Sequence, residues 1–177
     1  RVRIEIQGDH NCVRVHPTCK LVDTSFRLLG NNLRVELGER VKISRSGEFF
    51  LMGDGARIRI DRDTTVESAR FIAHGATELH VGPDCMLAYD IELRTSDSHS
   101  IVHAVTGERI NADQSVHIGE HVWLGARSVV LKGVSIGPQS IIATGSIVSK
   151  DIGSGLLAGG VPAKPLKDGV TWDRRRL

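Results

Sequence analysis

Ile118, Leu124, Val130, Ile136, Ile142 and Val148 are aliphatic residues at strict six-residue spacing, and four places after each stands a small or β-branched residue: Val122, Ser128, Val134, Ser140, Ser146 and Ile152. A helix sets apolar residues three and four apart and a simple strand sets them two apart, so neither explains a period of six. The pattern is that of a parallel β-helix, in which each hexad supplies one short strand and one corner and about three hexads close a coil. Gly119, Gly125 and Gly137 each follow an aliphatic position, where a corner is expected to favour a residue tolerant of positive φ. The spacing recurs upstream in Val81, Leu87 and Leu93, with Cys85, Ile91 and Asp97 four places on, and in Ile60, Val66 and Ile72, with Thr64, Arg70 and Ala76. The grid slips by three residues between Ile72 and Val81 and by one between Leu93 and Ile118. Interruptions of the coil are therefore expected near 77–80 and within 98–115, the second holding the turn-like Thr106-Gly107-Glu108. A loop thrown out of a rigid coil is a favoured place for function.

These patterns predict an all-β chain forming one β-helix domain over residues 1–177. Irregular N-terminal coils span 1–59, hexapeptide coils 60–152 and a closing segment 153–177, where Pro162 and Pro165 leave room only for a short helix or an extended stretch. Only seven of the 177 residues are aromatic, which predicts a core of stacked Ile, Val and Leu with little room for rings. The 23 Lys and Arg against 21 Asp and Glu are interspersed, which speaks against a nucleic-acid module. The terminal Arg174-Arg175-Arg176 reads as a disordered, solvated tail. No apolar run approaches the roughly 18 residues of a membrane span, and no signal-like segment is visible. Three cysteines, Cys12, Cys19 and Cys85, fit a reduced compartment better than a disulfide framework, so the expected location is cytoplasmic.

Five stretches carry a resemblance: Arg94-Thr-Ser-Asp-Ser-His99-Ser-Ile, Gly107-Glu-Arg-Ile-Asn111, His121-Val-Trp-Leu-Gly-Ala126, Ala143-Thr-Gly-Ser-Ile-Val-Ser-Lys150 and Ala158-Gly-Gly-Val-Pro-Ala-Lys164. Over about residues 79–167 the chain resembles the hexapeptide-repeat acyltransferases, in particular the sugar O-acetyltransferases acting on galactosides, maltose and capsular or exopolysaccharide units. The resemblance implies a left-handed parallel β-helix, a homotrimer with three sites between neighbouring coils, acetyl-CoA as co-substrate, a saccharide acceptor and no metal. Ser149 stands where the family often has Thr, and Lys164 and Lys167 where it often has Arg.

Acetyl transfer from a thioester to a sugar hydroxyl needs a base, and an imidazole suits that task near neutral pH. His99, at the mouth of the loop, matches the family's catalytic histidine, and Asp97 is the nearest acid to orient its ring, with a backbone carbonyl an equal alternative. A backbone N–H of an adjacent coil would serve the oxyanion, and Trp123 and Gly125 lie on the first regular coil after the loop. By resemblance Trp123 flanks the thioester end of the cofactor groove, Ala126 and Thr144 contact the pantetheine arm through the main chain, and Ser149, Lys150, Lys164 and Lys167 hold the nucleotide end. Arg109 and Asn111 either contact the acceptor or order the loop. His103, His117 and His121 are expected at exposed coil positions. An antibiotic or amino-sugar acetyltransferase of the same fold is the nearest alternative. Further off are a non-catalytic scaffold and a zinc-dependent, carbonic-anhydrase-like hydratase, against which the four-residue spacing of His99/His103 and His117/His121 speaks.

Overall fold

Ile118 pairs with Ile136, Leu124 with Ile142 and Val130 with Val148, so one coil of the C-terminal repeat takes 18 residues in the computed structural model, which describes residues 1–177. All six of these aliphatics are buried, and so are the six residues four places after them. Each hexad thus sends two side chains inward. The left-handed residue that turns the corner stands three places after the aliphatic position, at Arg40, Asp63, Asp84, Asp90, His121, Arg127, Gly133, Gln139 and Gly145. The glycines that directly follow an aliphatic residue have a different cause from the one expected. Gly119 and Gly125 are not at positive φ; a Cβ on Gly119 would lie 2.7 Å from Pro138 N, and one on Gly125 2.6 Å from Ile142 O, in the next coil. They are small because coils touch there.

The coils form a three-faced prism. Face I is a parallel sheet containing Cys12–Val15, Arg34–Leu37, Arg57–Ile60, Glu78–Val81, Val116–Ile118 and Ser135–Ile136. Face II carries Lys20–Leu21, Met86–Leu87, Trp123–Leu124, Ile141–Ile142 and Leu157–Gly160, and face III carries Val2–Gln7, Thr24–Leu29, Ile91–Arg94, Val129–Val130 and Ile147–Val148. The strands Lys42–Met52 and Thr65–His74 run from face II round into face III and join the two into one sheet.

The first 59 residues, whose register cannot be read from the sequence, wind in the same parallel register with longer coils. Phe26 pairs with Phe49, Phe49 with Phe71 and Phe71 with Leu93, steps of 22 or 23 residues. The wider turns change what fills the core. Phe26, Phe49 and Phe71 are fully buried and stack at 4.8 and 4.7 Å between centroids, a ladder that continues as Leu93, Val130 and Val148 where the coils narrow. The expectation of a core with little room for rings fails in this half. So does part of the upstream grid: Phe71, not Ile72, belongs to the core cluster, and Arg70 is exposed. The three-residue slip after Ile72 reflects a long face III strand and no break, since Glu78–Val81 pairs with coils on both sides.

The interruption within 98–115 is real: Val81 pairs with Ile118, 37 positions on. The chain closes on an antiparallel hairpin of Leu157–Gly160 and Ala163–Lys167, the extended form of the closing segment. No helix is long and apolar enough to cross a membrane.

Phe49 lies between two other rings, so Phe49→Ala removes both stacking contacts and leaves a cavity. The expected loss is about 3–5 kcal/mol of unfolding free energy, read from the urea midpoint at unchanged slope; a loss under about 1 kcal/mol contradicts the ladder's role.

Candidate active site

Between Thr95 and Ser115 the coil is opened into an arm. Gln114 N donates to Thr95 O at 2.9 Å and closes the neck, while the buried Thr95 hydroxyl accepts from His74 N at 3.0 Å and lies 2.7 Å from Thr77 Oγ1. Further out, Ile110 N donates to Ile101 O and His103 N to Glu108 O, giving a small antiparallel turn with Val102 opposite Arg109. His103 Nδ1 accepts from the N–H groups of Val105 and Thr106, so this histidine shapes the tip. Ile101, Val102, Val105 and Ile110 are exposed on the arm.

Asn111 organises the base of the arm. Its Oδ1 accepts from Ile101 N at 2.7 Å, and its Nδ2 donates to Asp97 Oδ2 at 2.8 Å and to His99 O at 2.9 Å. Only 7% exposed, it satisfies these groups away from water. Arg109 donates to Asn111 O at 3.2 Å and to Asp113 Oδ1 at 2.9 Å. These bonds tie both Asn111 and Arg109 into the ordering of the loop.

Asp97 is not on the His99 ring. Its Oδ2 accepts from Lys132 Nζ at 2.6 Å as well as from Asn111, and Lys132 also reaches Asn111 O at 3.0 Å. The Lys132 ammonium, then the Asn111 amide, hold the Asp97 carboxyl below the usual carboxylate range. Because the folded value is depressed, the stabilisation this cluster gives is full above the ordinary carboxyl value and fades as pH falls through the folded one. Lys132 belongs to none of the five motif stretches. The register exposes it, since Leu93 pairs with Val130 and so sets residue 132 beside the start of the arm. The His99 side chain is exposed and makes no hydrogen bond within the chain, while Asn111 pins its carbonyl.

The remaining candidates lie elsewhere on the prism. Trp123 points outward from face II, 36% exposed, with Met86 and Ile141 beside it in register. Its N–H donates to Ser140 O and that of Gly125 to Ile142 O, so neither amide is free for an oxyanion. Ala126 and Thr144 differ: they stand on successive coils at the junction of faces II and III, and their N–H groups donate to no protein acceptor. Lys164 and Lys167 are exposed on the closing hairpin, and Ser149 and Lys150 are exposed where face III meets face I. All three cysteines are free, and burial pushes the Cys85 thiol up to about 12. Within one chain, then, the His99 cluster and the Trp123–Ala126–Thr144 group occupy different edges.

Residues 115–150 match the family model described as bacterial transferase hexapeptide (six repeats). The solved structure of the polySia-specific acetyltransferase NeuO superposes with a TM-score of 0.77 at 27% identity, over 98% of this chain and 89% of that one. The chain carries the hexapeptide repeat of bacterial transferases. Its fold is accordingly the left-handed parallel β-helix of hexapeptide-repeat acetyltransferases. A second acyltransferase structure, the polysialic acid O-acetyltransferase OatWY, matches with a TM-score of 0.75 at 28% identity, over 98% and 92% of the two chains. In sequence, the chain is 33% identical over 131 residues to the polysialic acid O-acetyltransferase of Neisseria meningitidis, covering 74% of this chain and 60% of that protein. It is 32% identical over 120 residues to the protein of the same name from Escherichia coli O1:K1, covering 68% and 39%. The chain thus spans about two fifths to three fifths of the length of these curated relatives.

Lys132→Met removes the main partner of Asp97. The Asp97 carboxyl is expected to titrate at a higher pH than in the unmodified protein, followed by 13C NMR of its side chain. An unchanged titration contradicts the assigned pairing.

Proposed function

We propose that the chain is an acetyl-CoA-dependent O-acetyltransferase that modifies hydroxyls of a capsule-type polysaccharide resembling polysialic acid, with His99 as general base. The observation that carries this reading is the presentation of His99, with its backbone pinned and its ring free, in a chain so similar to two polysialic acid O-acetyltransferases. In the proposed reaction His99 takes the proton of the acceptor hydroxyl, and the oxygen attacks the thioester carbonyl. The C–S bond then breaks, and the imidazolium returns its proton to the departing thiolate. No acyl-enzyme is formed, in keeping with the protonated, buried Cys85. Transfer within one ternary complex draws on the proximity term that such sites supply, several kcal/mol at about the least.

Asp97 acts in this reading as a positioning residue, fixing the base of the arm through Asn111 and Lys132. The free amides of Ala126 and Thr144 suit the amide-bearing pantetheine arm, and Ser149, Lys150, Lys164 and Lys167 suit the phosphates of the nucleotide end. Because His99 and Trp123 stand on different edges, the working form is a homotrimer in which the arm of one copy meets face II of the next. The exposed apolar groups of the arm and the outward Met86, Trp123 and Ile141 are two different patches, and a contact between unlike patches closes into a ring. Use of acetyl-CoA places the activity in the cytoplasm.

Acetyl-CoA consumption measured against polysialic acid and a panel of neutral saccharides and amino sugars tests the reading. His99→Ala is expected to lower kcat by about 10²- to 10⁴-fold, the usual contribution of a general base, with the unfolding midpoint unchanged. Full transfer by a folded His99→Ala protein overturns the mechanism.

A further inference from the structure

The chain has two tryptophans, and the fold sets their indoles 6.4 Å apart between centroids at 56°. No periodicity links them. Trp172 comes from the tail, which runs back along the junction of faces I and II: Val170 N donates to Gly155 O in the last coil, and Arg174 reaches Asp84, Thr65 and the carbonyls of Asp63 and Cys85. The expected solvated tail is thus pinned. Among residues 171–177 only Trp172 is buried, at 7% exposure.

That indole is held from several sides. Its Nε1–H donates to His121 O at 2.7 Å, the His121 ring lies on it at 4.1 Å and 8°, and the Arg174 guanidinium stands 5.1 Å from its centre. His121 is not the exposed coil residue that was expected: its Nε2 bonds to Trp172 O at 3.0 Å and its Nδ1 to Asp84 Oδ2 at 2.6 Å, while Arg174 binds Asp84 Oδ1. The clasp holds Trp172 against Trp123, whose half-exposed indole otherwise has only Met86 and Ile141 beside it in the sheet. A side chain on a flat outward face keeps several rotamers open, and an aromatic contact on one flank removes some of them.

We propose that Trp172 is a positioning residue for the acetyl donor, buttressing Trp123 from the side opposite Ala126 and Thr144, with Asp84, His121 and Arg174 as the clasp that holds it. This rests on the reading of Trp123 as part of the acetyl-CoA site.

Trp172→Ala and Trp172→Phe test it in the full chain, because each leaves Trp123 as the sole tryptophan. The emission anisotropy of Trp123 is expected to be lower in Trp172→Ala than in Trp172→Phe, whose ring still supports it. In steady-state kinetics Trp172→Ala is expected to raise KM for acetyl-CoA about five- to tenfold with kcat within about twofold, and Trp172→Phe to restore KM to within about twofold. Equal anisotropy in the two variants overturns the proposal, as does a lowered melting temperature in Trp172→Ala with KM for acetyl-CoA unchanged, the outcome of a tail that only staples coils. If the unmodified chain transfers no acetyl group from acetyl-CoA, the donor reading fails, and the anisotropy pair still decides whether Trp172 holds Trp123.

Discussion

Each coil of this protein must lay its backbone on the hydrogen-bond ladder of the coil before it, and that single constraint governs both core and surface. Once Ile118 is set on Val81 and Ile136 on Ile118, every inward side chain rests on the equivalent one below, and every corner meets the corner of the next coil. Columns replace a conventional core: aliphatics run up faces I and II, and on face III three stacked phenylalanines give way to Leu93, Val130 and Val148. A residue added to a coil cannot be absorbed by sliding, because a one-residue shift turns inward side chains outward. Extra residues are therefore taken up only where whole coils widen together, as in the 22- and 23-residue N-terminal turns, or they leave the prism, as the arm does.

The arm shows how a rigid ladder presents the proposed base. Its neck is closed by backbone and by buried hydroxyls, and its base by Asn111, Asp97 and Lys132, so the His99 main chain is fixed while its ring is left unbonded. On another edge, the spacing of coils leaves two amides without partners at Ala126 and Thr144, next to an outward indole. The two halves of the proposed site are each built well and are held apart by the same prism. In the proposed homotrimer, closure of the ring brings the two halves together.

The C-terminal hexads were legible because two of every six positions point inward and their spacing is strict. Legibility fell where strands lengthened: Ile72 kept the spacing while Phe71 took the core, since a strand that rounds a corner shifts the inward set by one. The glycines at 119 and 125 stood out, but for contact between coils and not for positive φ. His99, Asn111 and Trp123 were visible as motif residues. Lys132 was not, because its partnership with Asp97 exists only once the register is known, and neither was the clasp of Asp84, His121, Trp172 and Arg174, which joins corners to a tail with no repeat.

The split site is tested most directly by mixing two inactive proteins. His99→Ala and Trp123→Ala copies, unfolded together and refolded at equal ratio, form rings in which some interfaces pair an intact His99 with an intact Trp123. The account predicts recovery of about one quarter of the unmodified activity, the share of such interfaces in randomly mixed closed rings, with neither protein active alone. A mixture of folded, exchanged copies that stays as inactive as its parts contradicts it.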